Sequence, residues 1–260
     1  MSQTNPTMIT CGESSPDDGF GALLRDLYEA GPRPGAHLQI IERDDGYISI
    51  EDGYRYFTKP YEWIAGERHA VSIAVGRVLD VGCAAGRHML ALVGDHEVLG
   101  IDPSPGAVAV AREQGLDARV GSVLEPGDIG TFDTIMLLGG NLGLLGSREQ
   151  APAVLDSLAA VARPGARVLG IGHDPTRAAA PEHRAYHARN RDYGRLPGQV
   201  RMRVRYRAWT SDWFNRLLLT PAELETLTDP SPWRLTGVTY SPKTAGFYLA
   251  ELALRARTGI

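Results

Sequence analysis

Five residues pose the chemical question. Asp80, Gly82, Ala84 and Gly86 fall within VLDVGCAAGRH, and Asp102 closes HEVLGID twenty residues after Gly82. Small residues at 82, 84 and 86 let the backbone turn sharply and approach a ligand closely. A carboxylate at the end of a second strand can accept hydrogen bonds from both hydroxyls of a ribose. Taken together, these features read as a site for an adenosine-containing cofactor. The plainer alternative is a tight turn beside a surface acid. A dinucleotide site would require G-x-G-x-x-G, with backbone amides left for a pyrophosphate. Here the spacing is G-x-A-x-G, followed by Arg87 and His88. Asp80 would repel a pyrophosphate, but its charge suits a cationic ammonium group.

The elements that must hold these residues alternate between strand and helix from residue 77 onward. RVLDVG, HEVLGID, ARVGSV, TFDTIMLLGG and ARVLGIGHD read as strands. Helices are expected from about Arg87 to Val93, over GAVAVAREQG and over AVLDSLAAVA. Such alternation implies a parallel sheet with helices on both faces. The terminal strands WRLTGVTY and GFYLAELAL are joined by a short loop. Short loops connect antiparallel neighbours only, so the sheet should end with a strand running against the others. The class is therefore α/β and doubly wound, in a domain over 77–260. Upstream, 1–17 is polar and expected to be a disordered tail. Residues 18–76 should form an N-terminal cap: a helix over 20–31, a hairpin over 37–57 with a primed turn at Asp45-Gly46, and a helix over 60–76. An insert, 175–219, interrupts the domain. Within it Val200, Met202, Val204 and Tyr206 alternate with Arg201, Arg203, Arg205 and Arg207, and FNRLLLT offers a hairpin partner.

Composition narrows the function. The 260 residues are 43% hydrophobic and 22% charged with net charge −4, so nothing in the overall charge draws the protein to nucleic acid. No apolar stretch is long enough to span a bilayer and no signal core opens the chain, so a cytoplasmic protein away from membranes is expected. Cys11 and Cys83 are the only cysteines and are read as reduced thiols.

DVGCAAG resembles the first motif, D/E-x-G-x-G-x-G, of class I S-adenosylmethionine-dependent methyltransferases, with Ala84 in place of the middle glycine. GIDPSP, the FDTIMLLGG strand and the terminal antiparallel hairpin are similar to the same family, and the likeness covers about 60–260. The resemblance implies a mostly parallel seven-stranded sheet with an antiparallel terminal strand, and S-adenosylmethionine as cofactor. It places Asp80 toward the ammonium group and Gly82, Cys83, Ala84 and Gly86 along the methionine moiety. Asp102 would hold the ribose, with Pro103 and Ser104 bordering the adenosine. Ser122 and Val123 would flank the adenine, where many relatives carry an Asp. Leu138, Gly139 and Gly140 would form the floor beneath the sulfonium. The 37–76 segment resembles the cap of small-metabolite enzymes; its Tyr56 and Trp63 could face the substrate or form the cap's own core.

Methyl transfer from a sulfonium is an in-line displacement in which holding the nucleophile accounts for most of the protein's part. A base helps a hydroxyl or a protonated amine. Asn141, His173 and Asp174 follow the fourth and fifth strands and are the candidates, against the plainer readings of a helix cap and a loop histidine. Tyr186 and Tyr206 in the insert offer flat apolar surface to a substrate. His183 and His187 are four residues apart, but no third ligand is evident, so no metal is expected. The stretch 177–207 holds nine arginines and only the acids Glu182 and Asp192. It could grip an anion or be a solvated strand face, and the second reading is preferred for Arg201, Arg203, Arg205 and Arg207. The leading expectation is methyl transfer to O, N or C of a small molecule, with a homodimer as the other possible partner. An RNA methyltransferase and a cofactor-binding protein without turnover are the alternatives.

Overall fold

Short apolar runs build the central strands. Every residue of β3 (Val78–Val81) and β4 (Val98–Asp102) is buried, as expected of parallel strands covered on both faces. The computed structural model describes residues 18–177, 180–242, 244 and 246–256; the expected disordered tail over 1–17, with Cys11, lies outside them.

The larger sheet adds β5 (Ala118–Val120), β6 (Phe132–Leu137), β7 (Ala162–His173), β11 (Trp233–Tyr240) and β12 (Phe247–Leu254). Its seven strands lie in the order β11-β12-β7-β6-β3-β4-β5. Pairs among β5, β4, β3, β6 and β7 are parallel, whereas β12 runs antiparallel to β7 and to β11. The reversed strand is thus the last in the chain, and the mostly parallel sheet expected from the sequence is present. Side-chain alternation sends Leu79 and Val81 into one apolar core with Phe132, Ile135, Leu155 and Trp233, and Val78 into another with Met136, Leu169 and Ile171. Helices α2 (Ala65–Ser72), α3 (Pro105–Glu113), α4 (Ala151–Ala160) and α6 (Pro221–Thr228) accompany these layers. The helix expected from Arg87 to Val93 is only a 3₁₀ turn, Met89–Ala91. Met89 and Leu92 are buried while Leu90 and Val93 face solvent, an amphipathic spacing that runs over too few residues before Gly94 to propagate a helix.

The second sheet joins two distant parts of the chain. The cap hairpin, β1 (Leu38–Arg43) and β2 (Ile48–Asp52), meets β8 (Gln199–Tyr206), β9 (Trp209–Thr210) and β10 (Phe214–Leu217) from the insert. The order is β10-β8-β1-β2, with Ile40 opposite Arg205 and Phe214 opposite Met202. Helix α1 (Gly19–Ala30) packs beneath it through Leu23 and Leu27 against Tyr206, and α5 (Pro181–Asp192) lies within the insert. The expected primed turn at Asp45-Gly46 is not formed. Gly46 has φ +88°, but Asp45 is absent from the positive-φ residues, and Gly46 N–H donates to Arg43 C=O. An ordinary turn closed by a left-handed glycine lets Asp45 reach back to Arg43 at 2.8 Å.

The arginine rungs of β8 form the outer face of this sheet. Arg203 pairs with both oxygens of Glu42 at 2.9 and 3.0 Å and lies over the Trp213 ring. The alternation expected through Arg207 stops one residue short: β8 ends at Tyr206, and Arg207, at φ +51°, turns to pair with Asp26 of α1 at 2.9 Å. The opposite, inner face carries Gln39, Ile41, Met202, Val204, Phe214 and Arg216. No described helix is long and apolar enough to cross a membrane.

Candidate functional site

The glycine-rich loop leaves β3 through three left-handed residues, Gly82 (φ +73°), Ala84 (φ +50°) and Gly86 (φ +84°). A side chain at Gly86 would lie 2.2 Å from Leu116 Cδ1, and one at Gly82 would lie 2.5 Å from Asn141 Nδ2. Ala84 tolerates a conformation that glycine adopts more cheaply. The loop is tied to β4: Ala84 N–H donates to Asp102 Oδ2 and Ser104 N–H to Asp102 Oδ1, each at 2.9 Å. Burial raises the Asp102 carboxyl to about 6, against the backbone bonds that lower it. Ser104 caps α3 by accepting from Ala107 N–H, and its hydroxyl donates to Asp18. Asp18 also accepts from Gly21 and Gly106 N–H, so one carboxylate holds the starts of α1 and α3 together. Pro103 is exposed beside it, and Ser122 Oγ accepts from Glu125 N–H, with Val123 partly buried.

Asp80 is buried beneath the loop, and its Oδ2 has no hydrogen-bond partner. Burial raises its carboxyl above the ordinary value, while His88 and Arg87 pull it down. Nearby, Glu67 of α2 accepts from Gly139 N–H at 3.1 Å and from Arg87 Nη2, and His88 Nε2 lies 3.3 Å away. Arg87 also donates to Thr58. The Cys83 thiol is buried and pushed well up, which keeps it protonated. Leu138 is buried, and Gly139 and Gly140 both take positive φ at the end of β6.

Asn141 bridges the two central strand ends. Its Nδ2 donates to Val81 and Gly82 C=O at 3.0 Å each, and Arg216 of β10 reaches both its Oδ1 and Gly140 C=O. The roof sheet and the floor therefore meet at Arg216. His173 ends β7 with its ring against Phe247. Asp174 is buried, accepts from Thr176 and Tyr240, and pairs with Arg177. Tyr56 accepts from Gln39 at 2.8 Å within the roof, while the buried Trp63 donates to Thr58 C=O and stands edge-on to His88. Tyr186 and Tyr206 sit inside the roof layer: Tyr186 donates to Asp44 and Tyr206 to Asp26. His183 stands edge-on to Tyr47, and burial lowers His187 to about 4, with His183 adding to it. The structure thus gathers the loop, Asp102, the 138–141 floor and Tyr56, and it engages Asp174, Tyr186 and Tyr206 in local networks. Sequence reasoning missed Asp18, Glu67 and Arg216. Only Arg216 had a legible signal, since alternation places it on the side of Phe214.

A cleft of about 410 Å³ lies between α1, the 54–60 segment and residues 85–91; Arg87 lines it, but Asp80, Asp102, Gly139 and Asn141 do not. Tyr56 and Ala85 line it as well. Residues 78–165 match the sequence profile of the Methyltransf_25 family, a methyltransferase domain. Over that stretch the chain is similar to a methyltransferase domain. Comparison with curated proteins returned no match. The fold is that of solved methyltransferases. A Bacteroides fragilis S-adenosylmethionine-dependent methyltransferase, crystallised with S-adenosyl-L-homocysteine, is 24% identical with a TM-score of 0.78, over 96% of this chain and 100% of that one. The CcbJ methyltransferase of Streptomyces caelestis is 12% identical with a TM-score of 0.61, over 93% and 100%. The glycopeptide N-methyltransferase MtfA bound to S-adenosyl-L-homocysteine is 16% identical with a TM-score of 0.53, over 72% and 86%.

The methyltransferase domain implies S-adenosylmethionine, and the residues present fit it. The orphaned oxygen of Asp80 is a buried acceptor that an ammonium group would satisfy. Each oxygen of Asp102 carries one backbone bond and keeps a lone pair for a ribose hydroxyl.

Proposed function

We propose that the protein is an S-adenosylmethionine-dependent methyltransferase acting on a small molecule held between the floor at 138–141 and the roof sheet. One observation carries the small-molecule reading: Arg216 of β10 donates to Gly140 C=O, so the roof comes within hydrogen-bond reach of the floor. A roof this near the floor suits a small acceptor and not an RNA duplex. The outward arginines are engaged by Glu42, Asp26 and Trp213, which removes the main support for an RNA-binding surface.

When bound, S-adenosylmethionine supplies an activated methyl group. The remaining work falls to the chain. Asp80 and Asp102 orient the two ends of the cofactor, and Gly139 and Gly140 keep the floor free of side chains. Asn141 locks the loop to the floor, which fixes the line of attack. His173, at the end of β7, is the candidate to take a proton from the acceptor.

The test is incubation with methyl-labelled S-adenosylmethionine and fractionated metabolite extract, read by mass spectrometry. A labelled small-molecule product that disappears with Asp102→Ala supports the reading. Label transferred to RNA and to no small molecule overturns it.

A further inference from the structure

Helix α1 covers the Tyr206 end of the roof's inner face, and the rest is filled by no core. Ile41, Met202, Val204 and Phe214 point inward, stay partly exposed, and belong to none of the apolar clusters among the described residues. Apolar surface left open on the face from which Arg216 reaches the floor suits an apolar ligand. Arg216 stands beside Phe214 on the same face of β10. Its hydrogen bonds go to Gly140 C=O and Asn141 Oδ1, both neutral acceptors. Among the described residues no carboxylate pairs with it. Glu51, which feels its charge, is already held by Arg55. Tyr56 shares the same field and donates to no described acid.

A half-buried cation without an anion is unfavourable, and the surplus is relieved when a ligand brings the anion. A guanidinium offers five N–H groups in a fixed fork, and a carboxylate takes two of them side by side. Burial lowers the Arg216 pKa from its ordinary value, consistent with a cation short of a partner. A second polar marker lies in the same roof: Gln39 is fully buried, and its Oε1 has no partner.

We infer that the methyl acceptor is an organic acid, its carboxylate held by Arg216 and its apolar body under Ile41, Met202, Val204 and Phe214. This deepens the methyl-transfer reading and rests on it. A carboxylate could also come from the methionine part of the cofactor, and the experiment separates the two sources.

Full-length protein saturated with S-adenosylhomocysteine is titrated calorimetrically with sodium hexanoate and, separately, with hexanamide at fixed ionic strength. The wild type should bind hexanoate about tenfold more tightly than its neutral isostere, the size of one charge-assisted hydrogen bond. Arg216→Gln should erase that preference and leave S-adenosylhomocysteine affinity within a few-fold; Arg216→Lys should keep part of it. Equal binding of the two probes by the wild type overturns the inference without recourse to any variant. So does absence of hexanoate binding up to about 50 mM, a concentration that detects even very weak sites. A loss of S-adenosylhomocysteine affinity in Arg216→Gln with hexanoate binding retained would assign Arg216 to the cofactor and overturn it as well. Failure of the wild type to bind S-adenosylhomocysteine would instead overturn the methyl-transfer reading itself.

Discussion

Glu67 Oε1 lies 3.1 Å from the backbone nitrogen of Gly139, so a carboxylate from the N-terminal cap accepts a hydrogen bond from the end of the central strand. The same oxygen holds Arg87 of the glycine-rich loop. Cap, loop and floor are thereby joined at one atom, and the cap is part of the site and not a cover laid over it.

That junction should be visible in acid. Burial alone would raise the Glu67 carboxyl, but His88 and Arg87 overcome it and hold the pKa at about 2, against an ordinary 4.5. A depressed carboxyl contributes stability above its unfolded pKa and loses it as pH falls through the folded one. Glu67→Gln should therefore be less stable than the wild type by about 2–3 kcal/mol at pH 7, with the gap closing between about pH 5 and pH 2. Denaturant unfolding at several pH values measures it, and a gap that does not change with pH would contradict the assignment.

Asp102 runs the other way. Burial raises it to about 6, so the carboxyl is neutral below that pH and charged above it. Its folded form binds more protons than the unfolded form between the ordinary 3.8 and about 6, so its contribution to stability falls as pH rises through that window. A charged acceptor holds ribose hydroxyls better than a neutral one. S-adenosylhomocysteine affinity should fall several-fold from pH 7.5 to pH 5, and Asp102→Asn should flatten the profile. Calorimetry at both pH values gives the answer; a flat wild-type profile would refute the role.

Much of this was legible in the sequence, for identifiable reasons. Buried parallel strands read as unbroken apolar runs, so β3, β4 and β6 stood out, and the loop glycines announced their left-handed backbone. The pairing of β1 with β8 was not legible. It joins segments about 160 residues apart in the chain, and no local periodicity encodes which distant edge a hairpin will meet. Glu67 was hidden for a related reason: in GERHA it looks like any helix-surface acid, and only its contacts with Gly139, Arg87 and His88, distant in the chain, accompany its burial. Asp18 sat in a polar run that composition assigned to the tail's margin, although it caps two helices.

Ala84 carries a small strain that can be removed. At φ +50° an alanine is disfavoured, while glycine is not. Glycine also adds unfolded-state entropy, which offsets part of the gain. Ala84→Gly should raise stability by up to about 1 kcal/mol. Thermal unfolding without ligand measures it, and a clear destabilisation would show that the alanine methyl has a packing role.

Asp18 joins α1 to α3 through Gly21, Ser104 and Gly106. Asp18→Ala removes two helix caps at once and should cost about 2 kcal/mol. Ser104→Ala in the same background should add less than it does alone, because the two share one network. Strict additivity in a double-mutant cycle would argue against the shared network.

The central claim is that Asp80, Asp102 and the loop between them hold S-adenosylmethionine, and the buried, unpartnered Oδ2 of Asp80 is its most exposed point. The direct measurement is calorimetric titration of S-adenosylhomocysteine into the wild type and into Asp80→Asn, with thermal unfolding of both without ligand. The wild type should bind one molecule per chain. Asp80→Asn should bind at least about tenfold more weakly, the loss of one charge-assisted contact, while its unfolding temperature stays level or rises because a buried charge is gone. No binding by the wild type, or equal affinity in the two proteins, would contradict the account.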